Sequence, residues 1–256
     1  MKGWPMADGR WPLPVMRRAV AFLLLAAAPL GAQTPAPELQ GGLEVKWMRD
    51  SEEYAALTRM VYRVAERALS DAARRVPRGQ PWAVVLDLDE TALDNSTYQL
   101  TRLAYRLPFD TVSWNDWVRR GEAGVVPGTA EFVAAIRRLG GQVAWISNRS
   151  DATRQATLAT MAARGLWHDN DRMCPVTDPA NTKAVRRAEV MTGNGPCGWG
   201  RAVTVVGYVG DNIQDFPQAG EADPDAGNDA AFGVRFFMLP NPMYGGWMTR
   251  VTRRDR

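Results

Sequence analysis

The chain has 256 residues, 46% of them hydrophobic and 23% charged, with 31 Lys and Arg against 28 Asp and Glu. This is ordinary globular composition with length for one large domain, and no repeat with a period of about 20 to 50 residues is visible, which excludes a solenoid or propeller. Two Cys and a single His argue against a zinc site.

Residues 1–32 have the pattern of a secretory signal peptide. Met16-Arg17-Arg18 begins a basic region, Ala19 to Ala28 is an apolar run, and "PLGAQTPAP" follows, with cleavage expected after Ala32 and Met16 as an alternative translation start. The run is too short to cross a bilayer, which takes about 20 residues. No Cys stands near its end to carry a lipid, so a periplasmic or secreted protein without a stable membrane anchor is expected. Removing the leader takes away Lys2, Arg10, Arg17 and Arg18 but only one acid, Asp8, and the rest of the chain is close to neutral. A nucleic-acid partner is therefore not expected. In an oxidising compartment Cys174 and Cys197 are free to pair. Two separate buried thiols are the alternative, and the sequence leaves both open.

After a flexible lead-in at 33–46, a folded domain is expected over 47–256. Ser51 to Arg75 reads as a long helix: Tyr54, Leu57, Val61, Val64, Ala65, Ala68 and Leu69 recur at helical spacing behind a Ser51 cap. Trp82 to Leu88 is a short apolar run, read as a buried strand. Thr97 to Val126 is aromatic, basic and irregular, and reads as an insertion. Thr129 to Leu139 is a helix stopped by Gly140-Gly141, and Gln142 to Ile146 a second strand. Helices follow at Ser150 to Arg164 and Asn181 to Met191, then strands at Val203 to Val209 and Val234 to Leu239. "GNGPCG" at 193–198 matches a dinucleotide-binding string but follows a helix and precedes a strand, so it reads as a loop. His168 reads as a surface or packing residue. Alternating strands and helices imply an α/β fold: a Rossmann-like, mostly parallel sheet with helices on both faces.

Ligands of such sheets bind beyond the carboxyl ends of the strands. There the first strand delivers Asp87 and Asp89, the second Ser147, Asn148 and Arg149, and the third Asp211, Asn212 and Asp215; Lys183 opens a helix between the last two groups. Crowded carboxylates raise one another's pKa, so this cluster calls for a cation. Three carboxylates suit Mg²⁺, a hard cation that prefers oxygen ligands. Asp87 is then placed to attack phosphorus and form an aspartyl-phosphate, and Asp89, brought round by a tight turn, to protonate the leaving alcohol and later activate water. Ser147 can hold phosphoryl oxygens, and Lys183 adds positive charge where negative charge gathers.

These motifs resemble those of the haloacid dehalogenase-like phosphatases. Within them, "DLDETALDNS", "VVPGTAEF", "WISNR", "YVGDNIQDF" and "LPNPMYGGW" resemble the class C nonspecific acid phosphatases, the bacterial outer-membrane lipoprotein acid phosphatase family, over about Trp47 to Met248. The resemblance implies a HAD-like fold with a small cap at about 97–126 and a Mg²⁺-dependent acid phosphatase. It implies Asp87 as nucleophile, Asp89 as general acid/base with its backbone carbonyl on the metal, and Asp211 as a direct metal ligand. Asp215, Thr91 and Asn212 are implied as supporting residues, and Ser147, Asn148 and Lys183 as phosphate holders. A true dehalogenase lacks the acid at the Asp89 position, and the lipid-bearing Cys of the family is missing here.

The resemblance also points to nucleoside 5′-monophosphates (a 5′-nucleotidase activity), nicotinamide mononucleotide and aryl phosphates as substrates. Tyr98, Trp114, Trp117 and Tyr244 are candidates to stack on such rings, with Trp247 beside them. The competing reading makes the insertion's aromatics the cap's own small core. Phosphotransfer to an acceptor alcohol and a non-catalytic nucleotide-binding surface protein are the functional alternatives. A homodimer stays open.

Overall fold

A computed structural model describes residues 42–249. The signal-peptide reading, the lead-in up to residue 41 and the last seven residues lie outside the described residues.

The first helix corrects the extent of the lead-in. Helix α1 spans Leu43–Asp50, so residues 43–46 are ordered, and it buries Val45 and Met48 at i, i+3 spacing. Helix α2, Glu52–Ala73, is the expected long helix, and the Ser51 hydroxyl caps it by accepting from the Tyr54 N–H at 3.0 Å. Its buried face is Tyr54, Thr58, Tyr62, Ala65 and Leu69. The expected stripe was rotated from this, since Val64 is exposed and two polar-bodied residues, Thr58 and Tyr62, face inward.

Strands β1 (Trp82–Leu86), β4 (Gln142–Ser150), β5 (Arg172–Val176), β6 (Thr204–Gly210) and β7 (Phe236–Met238) form one parallel sheet in the order β5-β4-β1-β6-β7. Every residue of β1 is buried, as a central strand covered on both faces should be. Its side chains alternate between two cores. Trp82, Val84 and Leu86 join α2 and α5 (Thr129–Arg138), while Ala83 and Val85 join Val190 of α7 (Lys183–Thr192). Helix α6 (Arg154–Ala163), entered through a 3₁₀ turn at Asp151–Thr153, adds Met161 to the first core.

The expected strands and helices are present, with three differences. β4 runs on to Ser150, four residues beyond the expected end. β5 was not expected, because Pro175 interrupts its short apolar pattern; it lies at the sheet edge, where a missing N–H is tolerated. The insertion is not irregular. A two-stranded antiparallel pair, β2 (Leu93–Asp94) with β3 (Gly124–Val125), closes its base, and it carries helices α3 (Ser96–Ala104) and α4 (Thr111–Arg120). Asp110 caps α4 by accepting from the Ser113 N–H at 2.8 Å, and Gly121 ends it at φ 66°.

Cys174 on β5 and Cys197 are joined as a disulfide, their Cα atoms 5.5 Å apart. Cys197 belongs to the glycine-rich segment, which is a loop between α7 and β6, as expected. Its glycines serve packing: a Cβ on Gly193 would lie 2.0 Å from the Arg201 carbonyl oxygen. His168 is exposed. Among the described residues no helix is long and apolar enough to cross a membrane.

Candidate active site

The carboxyl ends of β1, β4 and β6 converge, and the polar residues at and just beyond them make one crevice. Asp87 continues β1: its N–H still donates to Val209 of β6 at 3.0 Å, which fixes its side chain just past the sheet edge, 7% exposed. The chain then turns sharply. Glu90 takes φ 58°, and the N–H groups of Ala92 and Leu93 both donate to the Leu88 carbonyl at 2.8 Å. This is the tight turn expected after Asp87, and it holds Thr91 under the crevice. Tyr62 of α2 clamps it from below by donating to the Thr91 carbonyl at 2.7 Å.

On the β6 side, Asp211 accepts from the Thr91 hydroxyl at 3.0 Å and from the Asn241 amide at 2.8 Å. Asp215 folds back over the strand end because Gly210 leaves room; a Cβ there would sit 2.4 Å from the Asp215 carboxylate. Asn212 and Asp215 cap the short 3₁₀ turn reciprocally, the Asn212 N–H donating to Asp215 at 2.8 Å. Carboxylate oxygens of Asp87, Asp211 and Asp215 lie within 4.8 Å of one another. Lys183, the first residue of α7, donates from its ammonium to both Asp87 and Asp215.

The electrostatics follow from this crowding. Burial pushes Asp87 well above the usual carboxylate range; Lys183 opposes the shift, and Asp215 and Asp211 add to it. Burial and the neighbouring Asp215 push Asp211 up to about 6. Burial would lower Lys183, but Asp87 and Asp215 overcome it and hold the ammonium above the usual lysine range. Two buried carboxylates and a half-buried one facing one ammonium leave an excess of negative charge. A pure oxygen donor set with that excess fits a divalent cation.

The Asp89 carboxylate stands apart from this cluster; the expectation placed only its backbone carbonyl on the metal. The carboxylate turns toward the insertion, where Arg149 grips it through Nε at 3.0 Å and Nη2 at 2.7 Å. Asn95 also donates to it at 3.0 Å, and the Ser147 hydroxyl lies 3.4 Å away. Asp215, expected only to support, takes the third carboxylate position in the cluster instead. Ser147 is fully buried and accepts from the Arg149 N–H at 3.1 Å, whereas Asn148 is exposed with its oxygen on Arg186 at 3.1 Å.

The stacking candidates divide. Tyr98 and Trp117 are 4% and 2% exposed, so neither offers a face to a ligand, which is a correction. The Tyr98 hydroxyl meets Ser113 at 2.9 Å, and its ring packs edge-on to Trp114 at 5.1 Å, so this aromatic set is the insertion's own core. Trp117 reaches the crevice indirectly: its indole N–H donates to Asn95 at 2.8 Å, and Asn95 donates to Asp89. Trp114 is partly buried with the Arg149 guanidinium 5.7 Å from its ring centre. Tyr244 is half-buried, and the Trp247 indole donates to the Asn241 carbonyl at 3.1 Å.

Arg149, Asn95, Asn241 and Arg186 also belong to the site, beyond the roles expected from the sequence. Three of them sit inside quoted motifs, Asn95 in "LDNS", Arg149 in "SNR" and Asn241 in "LPN", and that was the available signal. Two cavities flank the crevice. One, of about 1090 Å³, is walled by Trp47, Pro240, Pro242 and Trp247 and reaches Asp211 through Asn241. The other, of about 640 Å³, is lined by Asn148, Lys183, Arg186 and Glu221.

A parallel sheet with a lysine-held carboxylate at the end of its central strand, and two more carboxylates beside it, defines an α/β protein of the HAD-like type. The chain belongs to subfamily IIIB of the HAD superfamily, the acid phosphatases, whose family model matches residues 29–247. It is similar to the class C acid phosphatase from Bacillus anthracis, with 28% identity, a TM-score of 0.67, and coverage of 80% of this chain and 85% of that one. The structure of that enzyme with tungstate bound gives 27% identity and a TM-score of 0.65 over the same shares. Acid phosphatase 1 of Solanum lycopersicum is 26% identical over 170 residues, 62% of this chain. The match spans 57% of that relative's length.

Proposed function

We propose that this protein is a Mg²⁺-dependent acid phosphatase that hydrolyses phosphate monoesters through an aspartyl-phosphate. The observation that carries this reading is the pairing of Asp87 with Lys183 in the carboxylate cluster, with Asp89 two residues further on. An oxygen of Asp87 attacks phosphorus; the new O–P bond forms as the ester O–P bond breaks, and the leaving oxygen takes a proton from Asp89. To give that proton Asp89 must carry one and exchange its Arg149 contact for the leaving oxygen. In the second step water attacks phosphorus, Asp89 takes the water's proton, and the bond to Asp87 breaks to release phosphate. Ser147, Asn148 and Lys183 hold the phosphoryl oxygens.

Asp87, Asp211 and Asp215, with the Asp89 backbone carbonyl, are the residues that would hold Mg²⁺, which supplies positive charge between the nucleophile and a dianionic ester. The proposed substrates are nucleoside 5′-monophosphates, nicotinamide mononucleotide and aryl phosphates. The family resemblance and the apolar cavity beside Asn241, with Trp47 and Trp247 on its walls, support this choice. A periplasmic or secreted location is supported by the leader pattern and by the Cys174–Cys197 bond.

The test is phosphate release from these esters and from p-nitrophenyl phosphate, with and without Mg²⁺, beside Asp87→Asn. Metal-dependent turnover that the variant loses is the expected result. No turnover on any ester, with a chelator making no difference, would reduce the crevice to a binding site.

A further inference from the structure

Three arginines are buried among the described residues: Arg149 at 3% exposure, Arg187 at 2% and Arg186 at 1%. Two of them have a carboxylate partner, Arg149 on Asp89 and Arg187 on Glu221. Arg186 has none within ion-pair distance among the described residues. Its guanidinium donates only to neutral oxygens: from Nη1 to the carbonyls of Ser147 at 2.5 Å and Cys174 at 2.8 Å, from Nη2 to the Asn148 side chain at 3.1 Å, and from Nε to the Thr182 carbonyl at 3.2 Å. A buried charge without a counter-charge is costly, and such a cost points to a function.

We propose that Arg186 is a positioning residue of the phosphoryl pocket that also supplies the net positive charge drawing an anionic phosphate ester in. This rests on the phosphatase reading above.

The positioning half follows from its contacts. One planar fork ties the end of β4, at Ser147 and Asn148, to β5 at Cys174 and to the start of α7, so the two phosphate-holding residues of β4 are set relative to Lys183, three residues earlier on the same helix. The charge half follows from a count. Lys183 is already engaged by Asp87 and Asp215. With a divalent cation among the three carboxylates, Lys183 brings their sum to zero and Arg149 is paired with Asp89, so Arg186 is the added positive charge that has no carboxylate partner. Its field reaches the nucleophile: burial lowers the guanidinium to about 10 while Asp87 pulls it back up, so it stays charged at acidic and neutral pH. Arg186 also lines the cavity that Lys183 and Asn148 share.

The experiment compares wild type, Arg186→Lys and Arg186→Met in calorimetric binding of inorganic phosphate with Mg²⁺ present, and in steady-state kinetics on p-nitrophenyl phosphate. Arg186→Met should weaken phosphate binding at least about tenfold and raise KM. Arg186→Lys keeps the charge and should stay within about threefold of wild type for phosphate, while kcat still falls about tenfold because one ammonium cannot make the fork. A folded Arg186→Met that binds phosphate within twofold of wild type would overturn the proposal, and so would a lysine variant that loses as much phosphate affinity as the methionine one. Where Arg186→Met does not fold, Arg186→Gln, which keeps N–H donors without the charge, takes its place and should weaken phosphate at least about tenfold; binding within twofold of wild type overturns the proposal. A wild type that binds phosphate but turns over no ester would sink the phosphatase reading and leave the arginine comparison readable.

Discussion

The strand-end crevice and the insertion at 97–126 are both rich in functional side-chain types, but they are built in opposite ways. In the crevice, Asp87, Asp211, Asp215 and Lys183 are held by partners far away in sequence: Thr91 meets Asp211 across 120 positions and Asp87 meets Lys183 across 96. In the insertion, Tyr98, Ser113 and Trp114 hold one another within a single helical hairpin. The crevice concentrates like charge that destabilises the fold unless a ligand offsets it, while the insertion gains stability from the buried Tyr98 and Trp117 and leaves Tyr105 and Phe109 exposed. Carboxylates converging at the cost of stability mark chemistry; aromatics packed to its benefit mark structure.

The largest expected effect sharpens the crevice side. Asp87→Asn should lower ester hydrolysis by at least about 10³-fold and leave the melting temperature unchanged or raised, since it removes one of three crowded carboxylates. Asp89→Asn should cost about 10²–10⁴-fold in kcat. A variant at Asp87 that keeps most of its turnover would break the comparison outright.

In the insertion the pattern should reverse. Trp117→Ala removes a core ring and is expected to cost about 3–5 kcal/mol of stability in denaturant unfolding. Trp114→Ala, at a partly buried ring over Arg149, should cost less stability and change KM more. Equal stability losses with equal KM changes would erase the distinction between the two tryptophans.

A smaller effect reads the crowding itself. Asp211 is held at about 6 in the folded chain, above the ~4 of an unfolded one. The folded state therefore binds its proton more tightly, and the stability this contributes is present below about pH 4 and is lost as pH rises through about 6. With metal chelated, Asp211→Asn should gain on wild type by about 1–2 kcal/mol between about pH 4 and pH 7.5. A pH-independent gap would mean that Asp211 is not crowded in solution. Smallest of all, Tyr98→Phe should cost about 1 kcal/mol or less through the lost Ser113 contact, with kcat and KM unmoved. A KM change there would return Tyr98 to the substrate wall.

Asp87, Asp89 and Asp211 were legible because each comes just after a strand. β1 is an unbroken apolar run, so Asp87 and Asp89 announce themselves as polar residues at its carboxyl end, and Asp211 does the same after β6. β5 was not legible, because Pro175 hides a short edge strand. The partner of each buried charge was not legible either. Arg186 and Arg187 are neighbours on α7 and Arg149 ends a strand motif, and nothing along the chain says that Arg149 takes Asp89, Arg187 takes Glu221 and Arg186 takes only carbonyl oxygens.

By itself the sequence determined four of the five strands of the main sheet with the helices between them, the family, and the carboxylates and lysine of the crevice, because periodicity, caps and strand-end motifs are local properties of the chain. Tertiary structure alone decided that Asp215 and not the Asp89 carboxylate joins Asp87 and Asp211, that Tyr98 and Trp117 face inward, and that one buried arginine stays without a carboxylate. Those outcomes depend on which side chains meet when distant segments pack, where burial strengthens electrostatics and every contact competes with another.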